Sequence, residues 1–385
     1  MRRAGRYGRT GGWAVRALSL LLMLVSLQAG SLIAPAYACG CGAMVVDRNS
    51  RVAVDRETSA VGWDGRTEQI VMQLSVRGNA PDAAWIMPVP HRATVELGDA
   101  ALFSELRAIT APVTEERHYF WPRGKDWPFG GSGNSAGDSA AGPKAGAPVD
   151  VVGRERLGPF DVARLAATDP EALESWLAEN GFELPDRLAT ALTPYVEQKW
   201  EYVAVRLAPE RQGGTLSGTL DPLRLRFASD RMVYPMRLSK LAATPQSLDL
   251  YVLADHRMEP RDAIGGRPPK VAYAGRVDPA REPYEALAAV TGDKPVFVTA
   301  IDQYFPSPER IDGDHELRAA AGDAPYRTVV YRDALLTWGG MPAWLLTLLG
   351  GAVLLVALPL FLVLRARRRR PVVPPPPVFT PPPLR

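Results

Sequence analysis

Only two cysteines and four histidines occur among 385 residues, and that scarcity excludes much chemistry at the outset. His91, His118, His256 and His315 are each isolated in sequence, so no metal-ligand spacing is present, and surface or hydrogen-bonded structural roles are expected for all four. His315-Glu316 lacks the second histidine that a zinc-protease helix needs three positions later. No phosphate-cradling loop, dinucleotide fingerprint or serine-hydrolase elbow appears. Asp255-His256-Arg257 closes a predicted strand, but adjacent side chains on extended backbone point in alternating directions, so no catalytic pair is implied. The sequence thus predicts no catalytic residue and no cofactor.

Acidic residues are missing from both ends of the chain, and each end has its own reason. Arg2, Arg3, Arg6, Arg9 and Arg16 precede an apolar stretch from Ala17 to Leu27, and Ala36-Tyr37-Ala38 has the small-x-small form that signal peptidase cuts after. Residues 1–38 are therefore expected to be a signal peptide. Arg2-Arg3 is followed by Ala4-Gly5-Arg6 rather than an apolar pair, which favours general secretion over twin-arginine export.

At the other end, Trp344 to Leu364 is an uninterrupted apolar run of about 20 residues, enough to span a hydrocarbon core of about 30 Å. Arg365 and Arg367 to Arg370 follow at once, and such a cluster belongs on the cytoplasmic side. Trp338 and Trp344 suit the outer interface. The expectation is a single-pass cell-membrane protein with its ectodomain outside and residues 365–385, basic and then Pro-rich, in the cytoplasm.

A basic pI of 8.8 would suggest a nucleic-acid partner, but position reverses that reading. The two ends hold eleven of the 45 Lys and Arg and none of the 42 Asp and Glu, leaving the middle with a net charge of about −8. No basic patch there supports nucleic acid. The membrane and an unidentified envelope component are the expected partners.

Between the ends, Gly130 to Pro148 is rich in Gly, Ser and Pro without hydrophobic period, and is read as a flexible loop between an N-terminal part (39–129) and a C-terminal part (149–342). Ile70, Met72, Leu74 and Val76 alternate with Val71, Gln73 and Ser75 as in a half-buried strand. Ala84 to Pro90 reads as a short strand closed by prolines. Asp99 to Ile109 predicts a helix, and a capping box at Thr168-Asp169-Pro170-Glu171 opens a second that runs to about Asn180. Asp186 to Lys199 predicts a third, disturbed by Pro194. Strand patterns follow at 201–207, 223–229, 248–254, 296–301 and 326–331. Helices that cluster rather than alternate with strands predict an α+β fold, a mainly antiparallel β ectodomain with one C-terminal transmembrane helix.

The two cysteines stand together in Cys39-Gly40-Cys41-Gly42, at the expected mature N-terminus. Three roles stay open for the pair. Cys39 and Cys41 could close a disulfide, for which outer-face conditions and the flanking glycines are favourable. They could form a soft-metal or redox thiol pair. Alternatively, Cys39 could carry lipid, although Ala36 occupies the position where a lipoprotein signal usually has Leu.

Ala38-Cys39-Gly40-Cys41-Gly42 is followed in order by Trp85-Ile86-Met87-Pro88-Val89-Pro90, Trp176-Leu177 with Gly181-Phe182, Tyr195, Tyr234-Pro235 and Asp255-His256-Arg257. This succession resembles the uncharacterised bacterial family catalogued as domain of unknown function 2330, exported membrane-anchored proteins of actinobacteria, from Cys39 to about Val330. The resemblance implies a topology and carries no catalytic residue or ligand with it. The functional expectation is a non-catalytic binding or envelope-associated module. The alternatives are a thiol-redox or copper-handling envelope protein using Cys39 and Cys41, and a hydrolase whose residues converge only in the fold.

Overall fold

A computed structural model describes residues 38, 39, 41–47, 49–127, 156, 157, 160–165, 170–208 and 214–368. The leader before Ala38, the Gly-rich loop at 130–148, the cap at Thr168 and the tail after Arg368 lie outside the described residues. The chain forms two compact units, one within Met1–Pro112 and Pro148–Thr328 and the other within Val113–Ala147 and Val329–Arg385.

The first unit begins with β1 (Ala38–Cys39), β2 (Gly42–Val45), β3 (Val52–Trp63), β4 (Thr67–Gly78), β5 (Ala83–Val89), β6 (Thr94–Leu97) and helix α1 (Ala101–Thr110). The second unit contributes β7 (Val113–Tyr119) before the chain returns as β8 (Arg156–Leu157), β9 (Phe160–Leu165), α2 (Pro170–Glu179) and α3 (Asp186–Glu197). Then come β10 (Glu201–Leu207), β11 (Gly218–Thr219), β12 (Leu223–Ala228), β13 (Met232–Tyr234), β14 (Gln246–Ala254) and β15 (Met258–Pro260). The unit closes with β16 (Lys270–Val277), α4 (Glu285–Thr291), β17 (Val296–Phe305), β18 (His315–Ala319) and β19 (Tyr326–Arg327).

Three sheets result, a small one ordered β13-β18-β15 and two large ones, nine-stranded and centred on β17-β14-β3-β4-β12 and six-stranded in the order β1-β2-β5-β10-β9-β8. Strand alternation stacks the two large ones. On β4, Ile70, Met72, Leu74 and Val76 face a core shared with Trp85, Met87 and Val89 of β5 and Val203, Val205 and Leu207 of β10. The opposite parity of β5, Ala84 and Ile86, packs with Leu173 and Leu177 of α2 and Leu188 and Leu192 of α3. On the outer face of the large sheet, Val71, Leu253 and Val298 bury Leu102, Phe103 and Leu106 of α1 and Leu287 of α4. The unit is therefore four layers, helix, sheet, sheet, helix, and β5 is buried on both faces, which is why all seven of its residues are inaccessible.

The α+β reading stands, and two details refine it. Pairing is antiparallel except for β3 with β14 and β7 with β20 (Val329–Leu335), which run parallel. The strand read as ending at its prolines continues through Pro88 to Val89. Partner β2 reaches only as far as Ile86, so the missing Pro88 N–H leaves no bond unmade on that flank.

In the second unit β7 pairs with β20 (Val329–Leu335), and β21 (Thr337–Trp338) and β22 (Met341–Pro342) form a hairpin leading into α5 (Ala343–Arg368). Guanidinium groups cover aromatic rings here, Arg117 over Tyr331 at 4.7 Å and Arg123 over Tyr119 at 4.4 Å. Helix α5 has 26 residues, about 39 Å of rise. It is long and apolar enough to cross a membrane, and beyond its buried first residues, Ala343 and Trp344, its apolar span is largely exposed. Pro359 lies inside the helix, as membrane helices tolerate.

Candidate functional site

The cysteine motif is a tight hairpin in which Cys39 pairs in register with Gly42. Cys41 sits in its turn, 1% exposed, with its sulfur 3.5 Å from Met72 Sδ and its backbone N–H donating to Glu57 Oε2 at 2.9 Å. The side chain of Cys39 lies outside the described residues. Gly42 is glycine for a steric reason, since a Cβ there would meet the Ile86 carbonyl oxygen at 2.5 Å and Trp85 Nε1 at 2.7 Å.

Behind this hairpin lies a buried polar network that the sequence reading missed. Glu57 is 1% exposed, and its second oxygen accepts from the Tyr234 hydroxyl, which is 2.6 Å from Ser59 Oγ. Burial pushes the Glu57 carboxyl above its ordinary range, against the pull of its hydrogen bonds to Tyr234 and Cys41. Glu68, also inaccessible, accepts the Val233 N–H with both oxygens at 3.2 Å. Two inward carboxyls thus latch β13 onto the inner face of the large sheet. Glu68 was legible, being in phase with Ile70 and Met72. Glu57 was not, because a bulge between Val54 and Arg56 shifts the parity of β3.

The histidines do not converge. His91 Nδ1 lies 2.9 Å from the Ala228 carbonyl, and His118 is near Glu116 at 3.7 Å in the other unit. His256 contacts Asp323 at 2.9 Å rather than its neighbour Asp255, and both partners are exposed. His315 is buried, with Nε2 2.7 Å from Gln303 Oε1, while the Gln303 amide nitrogen donates to the Ile264 and Arg267 carbonyls. Gln303 Oε1 can only accept, so His315 carries its proton on Nε2. Burial lowers its pKa to about 4. Among the described residues no group of three or more His, Cys, Asp or Glu is placed to hold a metal ion.

The most distinctive recess is a cleft of about 430 Å³ at the ends of β3, β12 and β14, beside the C-terminus of α4. Gly62, Trp63, Gln69, Arg224, Arg226 and Lys294 line it, with Asp64 and Asp255. Gln69 is the organiser: its amide nitrogen donates to the Val290 carbonyl at 2.8 Å, and its oxygen accepts Arg224 Nε at 3.0 Å and Nη2 at 2.6 Å. An amide fixes the guanidinium without neutralising it. Glu96 faces Arg224 across the strand pair, yet among the described residues no carboxylate comes within 4.0 Å of a charged nitrogen of Arg224, Arg226 or Lys294. Partial burial and the like charge of Arg226 lower the pKa of Arg224. A recess of similar size, about 440 Å³, holds Arg56, but there Asp249 neutralises it at 2.7 Å.

These features define an α+β protein of stacked sheets with one helix able to cross a membrane and a cationic cleft in its larger unit. The chain belongs to the family described as "Uncharacterized protein conserved in bacteria (DUF2330)", whose model matches residues 35–318. No curated protein matches the chain. Among solved structures, the crystal structure of baculovirus P35 is similar at 8% identity over 72% of this chain and 97% of that one, with a TM-score of 0.30.

Proposed function

We propose that this chain is a signal-exported, single-pass envelope protein whose large unit lies outside the membrane and works by binding rather than by catalysis. The anchor half of the reading is supported by α5, exposed along most of its apolar length and ended by Arg365, Arg367 and Arg368. The binding half is carried by the cleft, where three cations stand without a carboxylate in contact. Charge that is partly desolvated and only partly offset, as at Arg224, costs stability, and a ligand that supplies more counter-charge repays it. The partner is an envelope component.

The test uses the full chain with an epitope after Arg385. On intact spheroplasts external protease removes the large unit and spares the epitope. The purified chain in detergent shows no turnover across hydrolase and oxidoreductase substrate panels. Turnover that persists through repurification, or an epitope cut from outside, overturns the reading.

One observation favours a second reading, in which Cys39 and Cys41 handle copper(I) or redox equivalents. The sulfurs of Cys41 and Met72 are 3.5 Å apart, and a thiolate beside a thioether is a soft donor set. Intact mass spectrometry of the protein from its native membrane distinguishes copper, a Cys39–Cys41 disulfide and lipid on Cys39. Met72→Leu that leaves copper content unchanged removes this reading.

A further inference from the structure

We infer that the cleft beside Gln69 is a phosphate-binding site, with Arg224, Arg226 and Lys294 as its ligand-contacting cations. The inference rests on the binding reading above and names the chemistry of its ligand.

The argument starts from strand geometry. Arg224 and Arg226 are two apart on β12 and project to the same face, their Cα atoms about 7 Å apart along the strand. Arg224 is half-buried and repelled by Arg226. Two like charges kept side by side, one of them partly desolvated, oppose folding; Glu96 and Asp64 offset this in part without contact, and an anion between the two would offset it further. Lys294 lines the same cleft from the segment joining α4 to β17.

The fixed partners then decide what kind of anion fits. Gln69 occupies the Nε–H and one Nη2–H of Arg224, two of the five guanidinium donors. One edge of the Arg224 fork is thereby taken, while its end-on edge, one N–H on each Nη, stays open towards a ligand. Three cations on two separate chain segments, two of them guanidinium groups with open edges, suit an oxyanion that offers at least three acceptor oxygens. A phosphate group does so, and a carboxylate has two.

Both aspartates that line the cleft bear on this. Asp64 Oδ1 accepts the Arg66 and Thr67 N–H groups at 3.0 and 2.7 Å, which holds that carboxylate in its own turn. Asp255 is exposed, and its backbone carbonyl accepts from Arg276. Neither closes on a cleft cation within 4.0 Å, and Asp64 interacts with Arg226 only through space. Trp63, fixed by its Nε1–H donating to the Ser229 carbonyl at 3.1 Å, adds an apolar wall for the carbon skeleton that bears the phosphate.

A free phosphate, a phosphate-bearing polymer unit and a lipid headgroup share this chemistry, and the test separates them. The full chain in phosphatidylcholine nanodiscs is titrated with inorganic phosphate, glycerol phosphate and glutarate, followed by calorimetry. Separately, it is mixed with vesicles of phosphatidylcholine with or without phosphatidylglycerol. Glycerol phosphate is expected to bind, with affinity falling steeply with salt, and Arg226→Gln and Lys294→Gln each to weaken it at least about tenfold, the loss of one charge-assisted hydrogen bond. Both residues are exposed, so neither change endangers the fold. Gln69→Leu is expected to weaken binding as well, by releasing Arg224. Retention on phosphatidylglycerol vesicles with no response to glycerol phosphate assigns the lipid source of the same group. Glutarate binding as tightly as glycerol phosphate overturns the phosphate assignment and leaves the binding reading standing. No binding of any of these probes at millimolar concentration, or binding unchanged in both variants, overturns the site itself.

Discussion

The hydroxyl of Tyr234 donates to the carboxyl of Glu57, a contact closed across 177 residues of sequence and shut off from solvent. It ties β13 to the central strand β3 and, through the second Glu57 oxygen, to the cysteine hairpin. The pair therefore couples three segments, and Glu68 holds the same strand β13 a second time.

Glu57 makes a pH prediction with a definite sign. Its pKa is raised by burial, so its contribution to stability is fully present below the unfolded value near 4.5 and is lost as the pH rises through the folded value. Glu57→Gln can still accept from Cys41 N–H and donate to Tyr234, which in turn donates to Ser59. Thermal melts of the variant are expected to lose part of the wild-type decline toward alkaline pH. Glu57→Ala leaves the buried Cys41 N–H unmet, while Tyr234 can turn its hydroxyl to Ser59, and costs about 1–3 kcal/mol. Equal pH profiles for wild type and Glu57→Gln would contradict this account.

His315 predicts the opposite slope. Its pKa falls from 6.5 to about 4 on folding, so its stabilisation is present above 6.5 and is lost as the pH drops toward 4, an effect of roughly 3 kcal/mol at full extent. Nitrogen NMR at pH 6 should show a neutral imidazole protonated on Nε2. A charged ring at that pH refutes the placement.

Gly42→Ala tests the sterics of the cysteine motif. The added methyl runs into the Ile86 carbonyl, which strand pairing holds in place, and should cost about 1–3 kcal/mol in denaturant unfolding. A neutral result would mean that β2 can move away from β5.

The anchor predicts an effect on orientation. On the proposed topology, replacing Arg365, Arg367, Arg368, Arg369 and Arg370 with Gln removes the charge bias that would retain the tail inside, and a fraction of molecules should expose a C-terminal epitope to external protease. An unchanged, wholly protected epitope would assign orientation to the leader alone.

Much of the scaffold was legible because its signals are periodic. The alternation at Ile70 to Val76, the apolar stripe Leu102, Phe103, Leu106 and Ile109, and the run ending at Arg365 each describe one element whose environment is uniform along its length. The site was not legible in the same way. Glu57 is displaced from its apparent parity by a bulge, and the cleft joins Gln69 with Arg224 and Lys294, whose proximity depends on the order of strands in the sheet. Cys39 and Cys41 advertised themselves by composition, yet what surrounds Cys41 comes from Met72 and Glu57 on other strands.

The parallel pairing of β3 with β14 sets a timetable for biogenesis. Thr58 has its register partner at Asp249, so one edge of β3 has nothing native to pair with until on the order of 190 further residues are made, roughly 10–40 s of synthesis. Throughout that interval β3 and β4 can form only a hairpin whose free edge would accept any strand offered. Asp55, Arg56 and Glu57 interrupt the apolar run along that edge and discourage foreign partners. Substitutions among these three residues should therefore act on the yield of assembled protein out of proportion to their effect on the melting of what does assemble.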